Sequence, residues 1–376
     1  MAETIKKYAV IILAAGFSSR MEDFKPLLPF GGTLAIVKLI KSAKMAGIDD
    51  ITVVAGYGAE KLLPAIEAEN IKMIVNDDFE QGMYTSVCTG VSSLQPSTEA
   101  FFVLPVDYPL VRPQVFLDLM DQYNKNQGAI IMPCYKGKNG HPPLIPSVLI
   151  PEILSYTGEN GLKEILMRHQ LKWVQLDSEF QEIIMDMDTG SDYQALSAHW
   201  AAMQTPDRET CLKLMEKYRT PTLAKAHCIA VARLALKIAS ELANKGINID
   251  VNLVESAAML HDMVRDRPNH ASAGAEIARL YGMDQVAELI ENHMYYEKKY
   301  SDGSITEQDI LCLADKMVNE DNMVGLKERV KPILEKFKDN PEATLRIKER
   351  FEQTSRFEDQ IKGITGKTME EMWTEV

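Results

Sequence analysis

Two groups of residues in this chain have the types and spacing for phosphate chemistry. The first is Leu13 to Lys25, Leu-Ala-Ala-Gly-Phe-Ser-Ser-Arg-Met-Glu-Asp-Phe-Lys, directly behind the apolar run Tyr8-Ala9-Val10-Ile11-Ile12. An apolar run that ends in a glycine-containing loop reads as a buried parallel strand delivering a loop to an anion. The small residues Ala14, Ala15 and Gly16 let backbone N–H groups come close to phosphate. Ser18 and Ser19 add hydroxyl donors, and Arg20 and Lys25 supply positive charge. The segment is neither a P-loop nor a dinucleotide fingerprint. Asp107 closes the apolar run Phe101 to Val106. A carboxylate at that place suits a Mg²⁺ that bridges phosphates; it also reads as a strand-end Asp starting a turn before Pro109. Asp186 and Asp188 share one face if their segment is a strand; a solvated acidic turn is the other reading.

The second group is His227, the pair His261-Asp262, His270, His293 and Asp315, which includes four of the chain's seven histidines. They fall on successive helical patterns. Imidazoles and carboxylates from facing helices can converge on a metal inside a bundle.

The elements that must carry these groups change character along the chain. Strand-like runs fall at 8–13, 51–55, 71–75, 101–106 and 129–132, with weaker ones at 171–176 and 182–187. Helical patterns lie between several of them, as at 33–46 and 113–126. Alternation of this kind predicts an α/β domain with a parallel sheet, its ligands beyond the carboxyl ends of the strands. After Trp200 no convincing strand appears. Helical periodicity runs through 208–218, 222–244, 251–264, 271–281, 284–294 and 306–318, with Thr205-Pro206-Asp207 as a helix start whose cap is a hydroxyl. The boundary falls within 201–207, giving domains 1–203 and 204–376; residues 325–376 are charge-rich amphipathic helices attached to the second.

The chain has 376 residues and a net charge of −13. The charge argues against a general nucleic-acid binder. The five cysteines are scattered without a C-x-x-C pair, which suits a reducing, cytoplasmic setting. Lys6 and Lys7 precede an apolar run too short for a signal peptide, and no run approaches a membrane span.

The Leu13–Lys25 segment resembles the signature of the nucleotidyltransferases related to molybdenum-cofactor guanylyl- and cytidylyltransferases, roughly L-A-[AG]-G-x-S-x-R-M-G-x-x-K. Glu22 stands where that family usually has Gly. Asn76–Ser86 resembles its Asn-x-x-x-x-x-Gly-Met-x-x-Ser stretch, Gly140-His141-Pro142 its Gly-His-Pro motif, and Asp186–Asp192 its Asp-Ile-Asp-Thr-Pro-Glu-Asp segment. The four matches keep the family's order over residues 6–200. The resemblance implies a Rossmann-like, mostly parallel nucleotidyltransferase domain. It places the nucleotide on Leu13, Ala14, Ala15, Gly16, Ser18, Arg20, Lys25, Asn76, Gly82 and Ser86. Lys25, Arg20 and Asp107 take the catalytic roles, Mg²⁺ sits on Asp107 and Asp188, and His141 lies near the acceptor. Ala15 favours the cytidylyl branch, hence CTP with molybdopterin as acceptor and a molybdoenzyme as recipient of the product. Sugar or alcohol phosphates are alternative acceptors. If Glu22 impairs catalysis, the domain becomes a nucleotide-binding regulator of its neighbour.

Residues 210–320 resemble the HD-domain phosphohydrolases, through Met-Leu-His-Asp-Met-Val-Arg at 259–265, His270-Ala-x-x-Gly-Ala and Leu-Ala-Asp-Lys-Met at 313–317. The resemblance implies an all-α domain. Its ligands are His227, His261, Asp262 and Asp315, with His270 and His293 allowing a second metal, and Asp262 also acting in catalysis. The mixed set suits Fe or Mn. Arg265, Arg267 and Lys316 are candidate anchors for substrate phosphates.

Overall fold

The computed structural model describes residues 8–17, 21, 23–294 and 304–375. The chain divides into two compact units, Met1–Ala201 and Ala202–Val376.

The first unit is built on an eight-stranded sheet: β1 (Tyr8–Ala14), β2 (Asp50–Ala55), β3 (Lys72–Val75), β4 (Ala100–Pro105), β5 (Ile130–Tyr135), β6 (Lys138–Asn139), β7 (Leu144–Pro146) and β8 (Trp173–Asp177). The order is β8-β5-β7-β4-β1-β2-β3, with β6 paired to β5. Pairs β1–β2, β1–β4, β2–β3 and β5–β8 are parallel. β7 runs antiparallel to both β4 and β5. Ala9–Ala14 and Ala100–Pro105 are buried throughout, and a strand covered on both faces reads as an unbroken apolar run rather than an alternating one. The helices are α1 (Ala35–Met45), α2 (Ala59–Ala68), α3 (Met83–Ser92), α4 (Pro113–Lys125), α5 (Ile150–Ser155), α6 (Gly161–Arg168) and α7 (Gly190–Gln204). From β1 the chain builds outward through β2 to β3, then crosses back to place β4 on the other side of β1. The loops after β1 and β4 therefore leave a topological switch point, where open α/β sheets hold ligands.

Two expectations change. The 182–187 run is not a strand: Gln181–Ile184 forms a 3₁₀ turn, and Asp186 and Asp188 follow in irregular backbone. The antiparallel β7 is an element that the alternating pattern did not announce; it is three residues long and lies beside prolines.

Packing under the sheet leaves no slack at Gly90 on α3. A Cβ there would stand 2.4 Å from Ile11 Cγ2 and 3.1 Å from Val54 Cγ2. We predict that Gly90→Ala lowers stability by about 1–3 kcal/mol, the usual range for overpacking. Urea unfolding would show it as a reduced midpoint at unchanged slope; an unshifted midpoint would contradict the packing.

The second unit is helical: α8 (Arg208–Lys217), α9 (Thr222–Asn244), α10 (Val251–Leu260), α11 (His270–Leu280), α12 (Asp284–Asn292), α13 (Glu307–Met317), α14 (Gly325–Lys336), α15 (Pro341–Thr365) and α16 (Met369–Thr374). A two-residue ribbon, Val318–Asn319 with Asn322–Met323, interrupts it. The start of α8 is capped by the Asp207 carboxylate, which accepts from Thr210 N at 2.8 Å; the expected Thr205 hydroxyl cap lies two residues too early. The 251–264 pattern is helical only to Leu260, so His261 and Asp262 sit in the turn that follows. α13 begins with a capping box between Thr306 and Asp309. α16 returns to α9, where Arg233 stacks on Trp373 at 4.5 Å and donates to its carbonyl at 2.9 Å. No helix among the described residues is long and apolar enough to cross a membrane.

Candidate active sites

At the switch point of the first unit, β1 hands over to the Ala15–Phe17 loop while Val106 N donates to Leu13 O at 3.0 Å, joining it to the end of β4. Asp107 follows directly. Met187 N donates to the Asp107 carbonyl at 2.9 Å, which draws the Asp186–Asp188 segment to the same place. Lys25 begins a 3₁₀ turn and is only 8% exposed. Its Nζ lies 2.9 Å from Asp188 Oδ1 and 3.7 Å from Asp107 Oδ1. Burial pushes the Asp107 carboxyl up; Lys25 opposes this, and Asp188 and Asp186 add to it. Among the described residues, then, the Lys25 ammonium lies beside two carboxylates, and Asp186 is close enough to act on one of them. Carboxylate oxygens grouped in this way are the ligands that a Mg²⁺ takes beside phosphate oxygens, so the residues fit the expected cation.

The cleft beside them encloses about 340 Å³. Of the expected nucleotide contacts, Leu13, Ala14, Ala15, Gly16, Lys25, Gly82 and Ser86 line it. Ser18, Arg20 and Glu22 lie outside the described residues. Asn76 does not line the cleft. It is 4% exposed and spends its amide on Thr85 Oγ1 (2.8 Å) and Ser86 Oγ (2.9 Å), with its Oδ1 accepting from Asp78 N (3.1 Å). Its place is to shape the loop ahead of α3.

Gly16 is open above its Cα: an added Cβ would meet nothing within 4 Å. In the protein alone, therefore, Gly16→Ala should leave unfolding unchanged. With phosphate drawn onto the loop it should raise KM for nucleotide by about tenfold or more, the equivalent of roughly 1.4 kcal/mol of binding. Unaltered KM would remove the loop from the phosphate site.

Three features of this site escaped sequence reasoning. Phe17, Phe79 and Met83 also line the cleft; the Phe17 ring lies 5.2 Å from Phe79 and 5.5 Å from Tyr57, forming an aromatic shelf with Phe17 48% exposed. Glu182, 1% exposed, is held by Arg112 and by His199 Nε2 at 2.7 Å. Burial alone would raise its carboxyl, but His199 and Arg112 outweigh that and hold it low. This cluster anchors the turn that leads to Asp186 and Asp188. Finally, His141 is partly buried, its ring 4.5 Å from that of Tyr108, with Nδ1 buried and unpartnered. Burial lowers its pKa to about 4, so it is neutral at pH 7.

The second unit gathers all six expected ligands. His227 comes from α9, His261 and Asp262 from the turn after α10, His270 from the start of α11, His293 from the end of α12 and Asp315 from α13. His227 Nε2 is 3.0 Å from Asp315 Oδ1 and 3.9 Å from Asp262 Oδ2. His261 Nε2 is 3.5 Å from Asp262 Oδ2 and 3.6 Å from Asp315 Oδ1. On the other carboxylate oxygen, His270 Nε2 stands 3.1 Å and His293 Nε2 3.7 Å from Asp262 Oδ1. Two ligand groups result, His227–His261–Asp262 and Asp262–His270–His293, each within 4.8 Å, and Asp262 belongs to both.

The outer shell orients these rings. Nδ1 of His227, His261 and His293 faces the carbonyls of Glu320 (3.1 Å), Ala258 (2.8 Å) and Ile290 (2.6 Å). Donation there fixes the tautomer and turns Nε2 inward as a ligand. His261 Nε2, His270 Nε2 and Asp262 Oδ1 are buried without hydrogen-bond partners, and buried polar atoms without partners are costly. A divalent metal would satisfy them, so the site fits one. Burial, with His261 beside it, lowers His293 to about 4, leaving a neutral ligand at pH 7. Burial pushes Asp315 up, but His227 and His261 outweigh it and hold the carboxyl well below its usual range. The three candidate phosphate anchors are dispersed: Arg265 pairs with Asp262, Arg267 sits 5.9 Å over the Tyr218 ring, and Lys316 donates to Thr354 Oγ1 at 3.2 Å.

Residues 10–173 match the MobA-like NTP transferase domain and residues 225–320 the HD domain. The chain is 31% identical over 184 residues to the molybdenum cofactor cytidylyltransferase of Escherichia coli, covering 49% of this chain and 92% of that protein. It is 42% identical over 72 residues to the uncharacterized protein MJ0778 of Methanocaldococcus jannaschii, covering 18% of this chain and 43% of that one. A solved nucleotidyl transferase from Methanothermobacter thermautotroptrophicus aligns at 19% identity and a TM-score of 0.46, over 51% of this chain and 97% of that one. The chain belongs to the MobA-like NTP transferase family and carries, behind its transferase domain, an HD domain.

Proposed function

We propose that the protein is a bifunctional, cytoplasmic enzyme. Its transferase domain moves CMP from CTP to molybdopterin, and its HD domain hydrolyses a phosphate ester or anhydride of a nucleotide. The observation that carries the first activity is the meeting of Gly16, Lys25, Asp107 and Asp188 at one switch point in a chain that covers 92% of a cytidylyltransferase relative. A phosphate oxygen of the acceptor attacks the α-phosphorus of CTP; the bond to the β-phosphate oxygen breaks, and pyrophosphate leaves with that electron pair. Mg²⁺, held by Asp107 and Asp188, would supply charge neutralisation for the phosphates. Lys25 moves its ammonium from the two carboxylates to phosphate oxygens, and the amides at Ala15 and Gly16 meet the polyphosphate. Catalysis is then positioning plus electrostatics. The Phe17–Phe79 shelf offers stacking to a flat ring. In the HD domain, one or two ions such as Fe or Mn, held by the six ligands, would supply a hydroxide nucleophile at neutral pH. Asp262, common to both groups, would hold the ions together.

Pyrophosphate release from each NTP, with and without molybdopterin, tests the first half. CTP-selective, acceptor-dependent release supports it. Equal release with a sugar phosphate would replace the acceptor, and release from no nucleotide would leave a binding domain. Phosphate release from nucleotides by Mn- or Fe-loaded protein tests the second half, and a rate unaffected by chelation would count against it.

A further inference from the structure

The amphipathic helices α14 and α15 are not needed for the metal ligands, yet with α13 they enclose a groove of about 200 Å³. Its apolar lining is Leu326, Val330, Ile333, Ile347 and Phe351. Three cations, Lys316, Arg329 and Arg350, line it as well, and no acidic residue does. Lys316 donates to the Thr354 hydroxyl at 3.2 Å and Arg329 to the Asn319 amide at 2.7 Å. These are neutral partners, and no carboxylate pairs with any of the three among the described residues. In a chain of net charge −13, three cations without a carboxylate partner set this groove apart; Asp309 lines a smaller hollow that Lys316 and Arg350 also border. Apolar walls with a few convergent charges are the usual make-up of a small-ligand site.

We infer that this groove binds a small organic anion, a carboxylate or phosphate head on an apolar body. The head meets Lys316, Arg329 and Arg350, and the body lies on Val330, Ile333 and Phe351. The volume somewhat exceeds the roughly 150 Å³ that accommodates benzene, so a body of six to ten carbons, about one ring or one medium chain, fits. Lys316 follows Asp315 on α13, so the site shares a helix with the metal ligands. Lys316 then belongs to this groove rather than to the phosphates of the HD substrate.

Titration calorimetry of the full chain with octanoate tests it, with inorganic phosphate as the head-only probe. Saturable octanoate binding is expected, at least fivefold weaker in Arg350→Glu, lost in Val330→Trp, and not displaced by equimolar phosphate. Arg350 is an exposed residue, so its variant decides the matter even if Val330→Trp fails to fold. No saturable binding by the wild type, unchanged affinity in Arg350→Glu, or displacement by phosphate alone would overturn the assignment. So would a wild-type dimer that binds no octanoate and becomes monomeric in Val330→Trp, which would make a second copy the occupant.

Discussion

Asp262→Asn is expected to empty the HD domain of metal and to lower its phosphohydrolase rate by at least about 100-fold, the upper end of what even outer-shell changes cost. The reason is geometric. Asp262 is wholly buried, and each of its oxygens faces a different pair of imidazoles. An amide keeps the volume but replaces one anionic oxygen with a donor, which points hydrogens at a lone pair. His270→Ala removes a ligand from one group only, so it should lose part of the metal and part of the rate. Metal content of the purified protein, with circular dichroism to confirm folding, separates these cases. Full metal in Asp262→Asn would show that the carboxylate is not shared. Because metal ligation needs neutral imidazole and ionised carboxylate, apparent affinity should also fall as pH is lowered.

Lys25→Ala is expected to cost the transferase about 10²–10³ in rate, the scale of losing one preorganised charge at a reacting oxyanion. It should also change stability in a pH-dependent way. Without the ammonium, the Asp107 and Asp188 carboxylates lose the cation that lies beside both, and the Asp107 pKa, already raised by burial and opposed chiefly by Lys25, rises further. A carboxyl whose pKa is higher folded than unfolded binds its proton more tightly when folded. The variant should therefore be less stable than the wild type near neutral pH, and the deficit should shrink as pH falls and Asp107 protonates. Urea unfolding at several pH values reads this directly. A deficit that grows on acidification would place the lost interaction elsewhere.

Much of this was legible in the residues because burial on both faces writes itself as uninterrupted apolar runs. β1 and β4 were visible for that reason, and α9 for its long helical period. The loop that ends β1 carried its chemistry in small residues and charge. Less legible were features that depend on tertiary contact. Glu182 looks like a surface carboxylate until Arg112 and His199, distant in sequence, close on it. The Gln181–Ile184 turn imitates a strand because its apolar residues are buried by packing rather than by pairing; Ile183 is fully buried and its carbonyl accepts from His141 N at 2.8 Å. The resemblance to the HD-domain phosphohydrolases marked six candidate ligands as a set, but that Asp262 is common to two groups depends on side-chain direction in a turn, which no period encodes. Asn76 shows the converse: its position in a motif suggested a ligand contact, while its bonds to Thr85 and Ser86 use it up in shaping the loop.

The measurement that bears most directly on the central claim is pyrophosphate release from CTP with molybdopterin and Mg²⁺, compared across wild type, Asp107→Ala and Asp262→Asn. Release that is lost in Asp107→Ala and retained in Asp262→Asn is the predicted result, placing nucleotidyl transfer at the switch point of the first unit. Release retained in Asp107→Ala, or absent from well-folded wild type with active acceptor, would contradict it.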